Sequence, residues 1–426
     1  MGRFLFISKE GAIPDLALKV QAEGHDVRMS IADADEREVG DGFVEKVDDW
    51  RPYVEWADLI VFDYAEFGAH ADQLREQGRC VVGGTSYTDR LEMDREFAQE
   101  QMKDAGLDTL PRWTFDSFDE AISFLKRSPQ RVVVKPNGTA QTEKVLTFVG
   151  EDPSGRDVVA LLEKLKKGWA KEIDSFQLQQ HACGVEVAVG GFFNGKRFLL
   201  PACVNFEHKR MFTGEIGPTT GEMGTVCFWE GKSQNRLVRE GLLPMEAKLA
   251  EVGYRGYFDI NFIATSDRLR PLECTPRFGY PTINLQIEGL LSPWGELLLG
   301  MARGDSMTVV TKPGFQIAVV IAVPPFPFED PAAFNKYSKG AVVLFNGDPR
   351  GVHPCDVKLV EGDWVLTGTA GYAAVVTGAG QTVEAARKEV YGRIRNLVIP
   401  NMFYRTDIGD RWRRDADLLY SWGYLR

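Results

Sequence analysis

The chain predicts a mixed α/β and α+β protein. A small parallel α/β layer comes first, an α+β middle follows, and the C-terminal part is mostly antiparallel β with a helix. Three observations lead there. Residues 1–88 alternate short apolar runs with amphipathic ones, the middle carries two hairpin signals, and from about Gly314 short strands follow one another between turn residues. With 426 residues, 44% hydrophobic and 26% charged, the chain is long enough for about three domains and has an ordinary globular composition. Boundaries are expected near residues 88 and 310, with a further division of the middle near 181, which gives domains 1–88, 89–310 and 311–426.

The elements follow in order. Arg3–Ser8 is an apolar strand, Ala12–Glu23 a helix stopped by Gly24, and Asp26–Ser30, Leu59–Asp63 and Cys80–Val82 are further strands. The stretch Asp33–Arg51 is acidic and poorly periodic. Asp89–Ala105 is predicted as one helix, with Asp89 and Glu92 as a capping box and Gly106 as its stop. Ser117–Leu125 is a capped helix, Arg131–Lys135 a strand entering the loop Pro136–Lys144, Val158–Lys166 a helix and Phe176–Gln180 extended. Glu186–Phe193 and Lys196–Ala202 form a hairpin around Asn194-Gly195, the type I′ signal. Arg236–Val252 is helical, and Gly256–Ala264 with Leu269–Cys274 is a second hairpin. Beyond it come strands at Ile317–Val323, Ala341–Phe345, Val357–Val360, Trp364–Thr367 and Ala373–Val376. The amphipathic helix Thr382–Leu397 follows, and Arg411–Arg414 reads as a solvated basic turn.

Composition excludes several classes. The net charge of −11 argues against nucleic-acid binding through a basic face. No run approaches the ~18 apolar residues of a membrane span, and the N-terminus lacks the layout of a signal peptide. Six scattered cysteines without a C-x-x-C and five histidines without an H-x-x-x-H disfavour a disulfide framework, a zinc site or a histidine metal centre. A cytoplasmic protein acting on small molecules is expected, as a monomer or homodimer, with no nucleic-acid or membrane partner.

The stretch RLRPLECTPRFGYP (Arg268–Pro281) concentrates chemistry. Glu273 and Thr275 lie two apart on a strand and share a face that Arg277 continues. Asn261, twelve residues before Glu273 on the opposing strand, adds a neutral oxygen, with Asp259 on its face. An oxygen-only set suits Mg²⁺ bound to a polyphosphate, and Arg suits phosphate or carboxylate. A salt-bridged surface strand has the same pattern. Lys135 ends a strand and opens the loop PNGTAQTEK; it reads either as a phosphate-reaching cation or as a solvent-facing strand end.

Two further segments carry a resemblance: His208-Lys209-Arg210 followed by GEIGPTTGEMGTV, and VVTGAGQTVEAARKEVYGRI followed by FYRTDIGDR. Together with LECTPRFGYP they resemble the ATP-grasp ligases, and within them the glycinamide ribonucleotide synthetases (phosphoribosylamine–glycine ligases), from about Asp94 to Arg411. The resemblance implies a central ATP-grasp domain of two α+β subdomains, with a lid over about 115–181. It implies an ADP-forming carboxylate–amine ligase that uses ATP and Mg²⁺, with Mn²⁺ as an alternative, and that joins an amino acid to an amine through an acyl phosphate.

Carried over residue by residue, it places Arg95, Lys135, Lys144, Gln179, Gln180, His181, Ala182 and Glu186 around the nucleotide. Glu273, Thr275 and Asn261 fall at the metal, and Arg277, Lys209 and Glu273 at the reaction. Thr220, Glu222, Tyr280 and Arg210 fall beside the amino-acid substrate. The departures sit mostly on the substrate side. SKEGAIPD (Ser8–Asp15) stands for the family's GNGGREHA, FDYAE (Phe62–Glu66) for its GPE, and Tyr280 for an aspartate. An amine other than phosphoribosylamine is therefore expected. A genuine phosphoribosylamine–glycine ligase and a non-catalytic ATP-binding protein are the alternatives.

Overall fold

The computed structural model describes residues 1–137, 147–168, 175–328 and 330–425. The first unit contains β1 (Arg3–Ser8), α1 (Pro14–Ala22), β2 (Asp26–Ile31), β3 (Glu45–Lys46), β4 (Leu59–Phe62), α2 (Gly68–Glu76) and β5 (Val81–Val82). Its strands form a parallel sheet in the order β3-β2-β1-β4-β5. Residues Phe4 to Ile7 are completely buried because both faces are covered: Phe4 and Phe6 feed one apolar cluster, Leu5 and Ile7 another. The chain runs outward through β2 and β3 on one side of β1, then returns to place β4 on the other. The loops leaving β1 and β4 therefore diverge and open a crevice at the strands' carboxyl ends.

The helix expected over Asp89–Ala105 is two helices, α3 (Ser86–Met93) and α4 (Arg95–Asp104). Thr85 caps α3 in a capping box with Thr88. Asp94 takes an extended conformation, ends α3 and caps α4 by accepting the Phe97 N–H. A short acidic side chain gains more by capping than by sitting inside a helix, so the chain breaks there. Asp89 is consequently inside α3, where its carboxylate accepts the Gly68 N–H, and Glu92 takes no part in the capping box.

Next come β6 (Arg112–Phe115), α5 (Phe118–Arg127), β7 (Val132–Pro136), β8 (Phe148–Val149), α6 (Arg156–Gly168) and β9 (Phe176–Gln180). They form an antiparallel sheet, β6-β9-β7-β8, with α5 and α6 packed on one face. The chain continues as β10 (Val185–Asn194), β11 (Phe198–Glu207), β12 (Arg210–Phe212), β13 (Ile216–Thr219), β14 (Gly224–Glu230), α7 (Glu246–Glu251), β15 (Arg255–Ala264) and β16 (Leu269–Thr275). At the Asn194-Gly195 turn only Gly195 has positive φ (+87°), and Asn194 instead accepts the N–H groups of Lys196 and Arg197. Positive φ at the first central position alone is the type II′ pattern, not the expected I′. The helical stretch before α7 contains a wide turn at Val238–Leu242 and a tight one at Leu243–Met245, where Pro244 lacks a donor.

The remainder comprises α8 (Thr282–Gly289), α9 (Trp294–Arg303), β17 (Phe315–Ile321), α10 (Pro331–Tyr337), β18 (Val342–Phe345), β19 (Val352–Pro354), β20 (Val357–Val360), β21 (Asp363–Leu366), β22 (Ala374–Gly380), α11 (Val383–Ile394), β23 (Leu397–Val398) and α12 (Trp412–Ser421). Strands β17, β22 and β19 extend the central sheet, giving an eight-stranded antiparallel order β16-β15-β10-β11-β14-β17-β22-β19 that runs across residue 310. The basic run Arg411–Arg414 is not a turn but the start of α12; Arg411 and Arg414 both reach Asp415. No helix among the described residues is long and apolar enough to cross a membrane.

Candidate active site

One face of the central sheet is polar across four strands. Cross-strand pairing aligns Asn261 with Ala188 and with Glu273, Asp259 with Gly190 and with Thr275, and Asn205 with Ala188. Side chains of paired residues share a face, so these groups converge. The small residues of β10 leave room for them; a Cβ on Gly190 would collide with the Tyr257 hydroxyl and Asp259. Tyr257 and Asn205 both donate to Asp259 Oδ2, each at 3.1 Å.

Lys209 is the hub of this face. Its ammonium lies 2.8 Å from Glu186 Oε1, 3.2 Å from Glu207 Oε2 and 3.5 Å from Glu273 Oε1. Burial works against its charge, but the three carboxylates outweigh burial and hold its pKa well above the ordinary lysine value. Asn261 is buried and its amide nitrogen donates to Glu207 at 2.9 Å, which orients that carboxylate. Thr220 is buried beneath, its N–H and hydroxyl both bonded to the Lys209 carbonyl. Glu222 is also buried; burial first, then the Glu207 charge, pushes its pKa well up. Arg210 turns away, donating to the Gly217 carbonyl at 2.9 Å.

Arg95, the first helical residue of α4, lies within electrostatic reach of Glu273, and burial depresses its pKa. Its Nε is buried without a partner among the described residues.

A second polar face lies on the β6-β9-β7-β8 sheet. Strand alternation sends Val132, Val134, Phe176 and Leu178 into the helix-covered core. Lys135 pairs with Gln177, and Gln179 with Val133, on the opposite face. Gln177 is completely buried, yet neither amide atom has a partner among the described residues. Buried amides without partners are costly, so a ligand group fits there. From here the chain runs through the exposed Gln180 and half-buried His181 and Ala182 to Glu186. Burial, then Arg131, lowers the His181 pKa. Lys144 and most of the loop Pro136–Lys144 lie outside the described residues.

Arg277 does not join Lys209. Its guanidinium turns to the crevice of the first unit, where Nε and Nη2 each lie 2.9 Å from Glu92 Oε1 and the group sits over the rings of Tyr64 and Tyr280. Tyr280 donates to the Asp63 carbonyl at 3.2 Å. Asp63, at the end of β4, is completely buried and accepts from Ser8 Oγ at 2.5 Å.

Burial raises the Asp63 pKa to about 7, against hydrogen bonds from Ser8 and Lys9. Burial and then the Glu207 charge do the same to Asp259, also to about 7. An aspartate raised in the folded state binds its proton more tightly there than when unfolded. Each group therefore destabilises the fold progressively as pH rises from about 4 to about 7, by something on the order of 4 kcal/mol when complete. In the nucleotide-free protein, Asp259→Asn should raise the denaturation midpoint at pH 8 and leave it near wild type at pH 4. A larger gain at pH 4 than at pH 8 would contradict this sign.

His208 is locked rather than available. Its Nδ1 lies 3.0 Å from Glu215 Oε1, and its Nε2 accepts the Gly409 N–H at 3.2 Å. Burial lowers its pKa, so a neutral ring with Nδ1–H donating fits both contacts.

Sequence reading missed Glu207, Gln177, Glu92 and Asp63. Period two held a signal for the first two: Asn205, Glu207 and Lys209 alternate along β11 and beyond, as Gln177 and Gln179 do along β9. Nothing local marks Glu92, whose partner is 185 positions away.

No group of three or more His, Cys, Asp and Glu among the described residues is placed to hold a metal. Mg²⁺ that arrives with a nucleotide needs only one or two carboxylates and takes its other oxygens from phosphate and water. Glu273, whose side chain is 37% exposed, meets that need, with Thr275 two residues on.

Comparison with known proteins finds several similar to this chain. Residues 93–282 match the ATP-grasp (A) domain of phosphoribosylglycinamide synthetase. Phosphoribosylamine–glycine ligase of Streptococcus pneumoniae is 24% identical over 350 residues, covering 80% of each chain, and that of Listeria monocytogenes is 25% identical over 351 residues with the same coverage. The crystal structure of phosphoribosylamine–glycine ligase from Thermotoga maritima superposes with a TM-score of 0.73 at 21% identity, covering 96% of this chain and 100% of that one. The biotin carboxylase domain of Hydrogenobacter thermophilus 2-oxoglutarate carboxylase, solved with MgADP, gives a TM-score of 0.65 at 14% identity, covering 100% of both chains. The chain thus carries an ATP-grasp domain over residues 93–282, and as an ADP-forming carbon–nitrogen ligase it resembles phosphoribosylamine–glycine ligase over most of its length.

Proposed function

We propose that the enzyme activates the carboxylate of a small amino acid, glycine or similar, and joins it to an amine other than phosphoribosylamine. The observation that carries this reading is the convergence of Glu186, Glu207 and Glu273 on Lys209, with Arg95 beside Glu273.

Lys135, Gln177 and the stretch Gln179–Ala182 would hold ATP, and Glu186 its ribose. Glu273 and Thr275 would hold Mg²⁺, with Asn261 fixing their neighbour Glu207. The metal would supply charge neutralisation on the phosphates. A carboxylate oxygen of the amino acid takes the terminal phosphoryl group and ADP leaves. The amine nitrogen then attacks the acyl carbon. The C–N bond forms as the C–O bond to phosphate breaks, the electron pair leaves with phosphate, and the amine proton passes to water. Such chemistry rests on position and fixed charge, not on a protein nucleophile.

ADP release should require Mg²⁺, an amino acid and an amine together. No stimulation by any pair from a broad panel, with ATP binding intact, would refute the ligase reading. A second reading, a genuine phosphoribosylamine–glycine ligase, is favoured by the names of the relatives. Growth of a purine auxotroph lacking that step, carrying this gene, would establish it.

A further inference from the structure

The crevice at the carboxyl ends of the parallel sheet faces the reaction strand through Tyr280 and Arg277, and it is acidic. It opens between β1 and β4, where strand order reverses and α/β sheets usually take ligands. Asp63 forms its floor. Glu10, in the loop after β1, lies within electrostatic reach of Glu36, Asp63 and Asp356, and of Tyr64 and Tyr280. Glu36 is only 7% exposed; one oxygen takes the Thr369 hydroxyl, and the other, Oε2, is buried with no partner among the described residues. That oxygen and the Asp356 carboxyl group flank the same point above Gly368.

Two cations stand at the rim, and each already faces a carboxylate: Lys9 with Glu66 at 2.8 Å, and Arg277 with Glu92 at 2.9 Å. A phosphate dianion placed here would find its nearest cations already engaged and carboxyl groups that burial keeps protonated, whereas an ammonium would give Glu36 and Asp356, beside Glu10, a charge to ionise against.

We propose that this crevice holds the acceptor as a phosphate-free cation, a molecule whose ammonium or guanidinium group is separate from the nitrogen that is acylated. The separation is required because the attacking nitrogen must carry a free electron pair while the anchoring one stays charged. Diamines, polyamines and basic amino acids are the class. The inference rests on the ligase reading above.

The test measures ADP release by the full-length protein with ATP, Mg²⁺ and glycine, repeated with a panel of small amino acids. The acceptors are 1,4-diaminobutane, spermidine, L-lysine, butylamine, and phosphoribosylamine formed in place from ribose 5-phosphate and ammonia. At least one dicationic acceptor should outperform butylamine tenfold or more in kcat/KM. Glu10→Gln, an exposed change, should raise KM for that acceptor about tenfold while leaving KM for ATP near wild type. Stimulation by phosphoribosylamine above the others, or equal use of butylamine, would overturn the inference and leave the ligase reading standing. Failure of every acceptor, with ATP–Mg²⁺ still binding by calorimetry, would overturn both.

Discussion

Glutamine in place of Glu273 is expected to lower Mg²⁺-dependent ADP formation by about 10²- to 10³-fold, the usual cost of removing one preorganised charge from such a site. The substitution keeps the shape of the side chain and its place opposite Asn261. It removes the most exposed of the three carboxylates around Lys209, the one best placed to meet a metal–phosphate group. Two comparisons separate this from a general loss of charge. Glu186→Gln should act chiefly on KM for ATP, since the proposed function puts Glu186 at the ribose. Glu207→Gln should cost less than Glu273→Gln, because Glu207 is held by Asn261 and is only 14% exposed. Steady-state rates over a range of ATP and Mg²⁺ would show the pattern. A Glu273→Gln enzyme within twofold of wild type would remove this residue from the chemistry.

Arg405→Met is expected to cost about 3–5 kcal/mol of stability, the range for breaking a buried ion pair from one side. Arg405 is completely buried. It grips Asp407 with two bonds of 2.8 Å, Glu215 with one of 2.7 Å, and the Arg210 carbonyl with one of 2.9 Å. Methionine fills much of the volume but leaves the Asp407 carboxylate without its cation. Glu215, whose pKa is held down to about 2, would keep His208 and a distant Arg411 contact only. The same strap ties the β12–β13 ribbon to the C-terminal segment and holds the carbonyl of Arg210, the residue after Lys209. Activity should therefore fall at temperatures where the fold is still intact. Denaturant midpoints and residual activity below the transition would check both parts, and a loss of under 1 kcal/mol would show that the strap is not needed.

Much of the architecture was legible along the chain. Strands such as Arg3–Ser8 and Phe176–Gln180, the hairpin that sets Asn261 against Glu273, and the capped helix after Ser117 all declared themselves through period, turn residues and caps, which act over a few positions. The single helix expected over Asp89–Ala105 failed for a local reason as well, since Asp94 competes as a cap. Strand, lysine, loop and carboxylate hairpin come in a recognisable order, and the proposed nucleotide-side residues rest on that order.

Other features depended on distance. Lys209 lies among carboxylates supplied by β10, β11 and β16, and no stretch of sequence shows that those three strands bring their polar faces together. Arg277 looked like a continuation of the Glu273 face, yet Glu92 and two tyrosines draw it to the crevice. Asp63 reads as an ordinary strand end until folding buries it beside Ser8. Periodicity tells which side of an element is apolar. Whether a charge is quenched, shared or left facing an open crevice depends on partners brought close by folding, because electrostatic energy follows distance and solvent exposure rather than separation along the chain. That is why RLRPLECTPRFGYP conveys the reaction type, while the carboxyl-rich crevice that Arg277 and Tyr280 face came into view only with the fold.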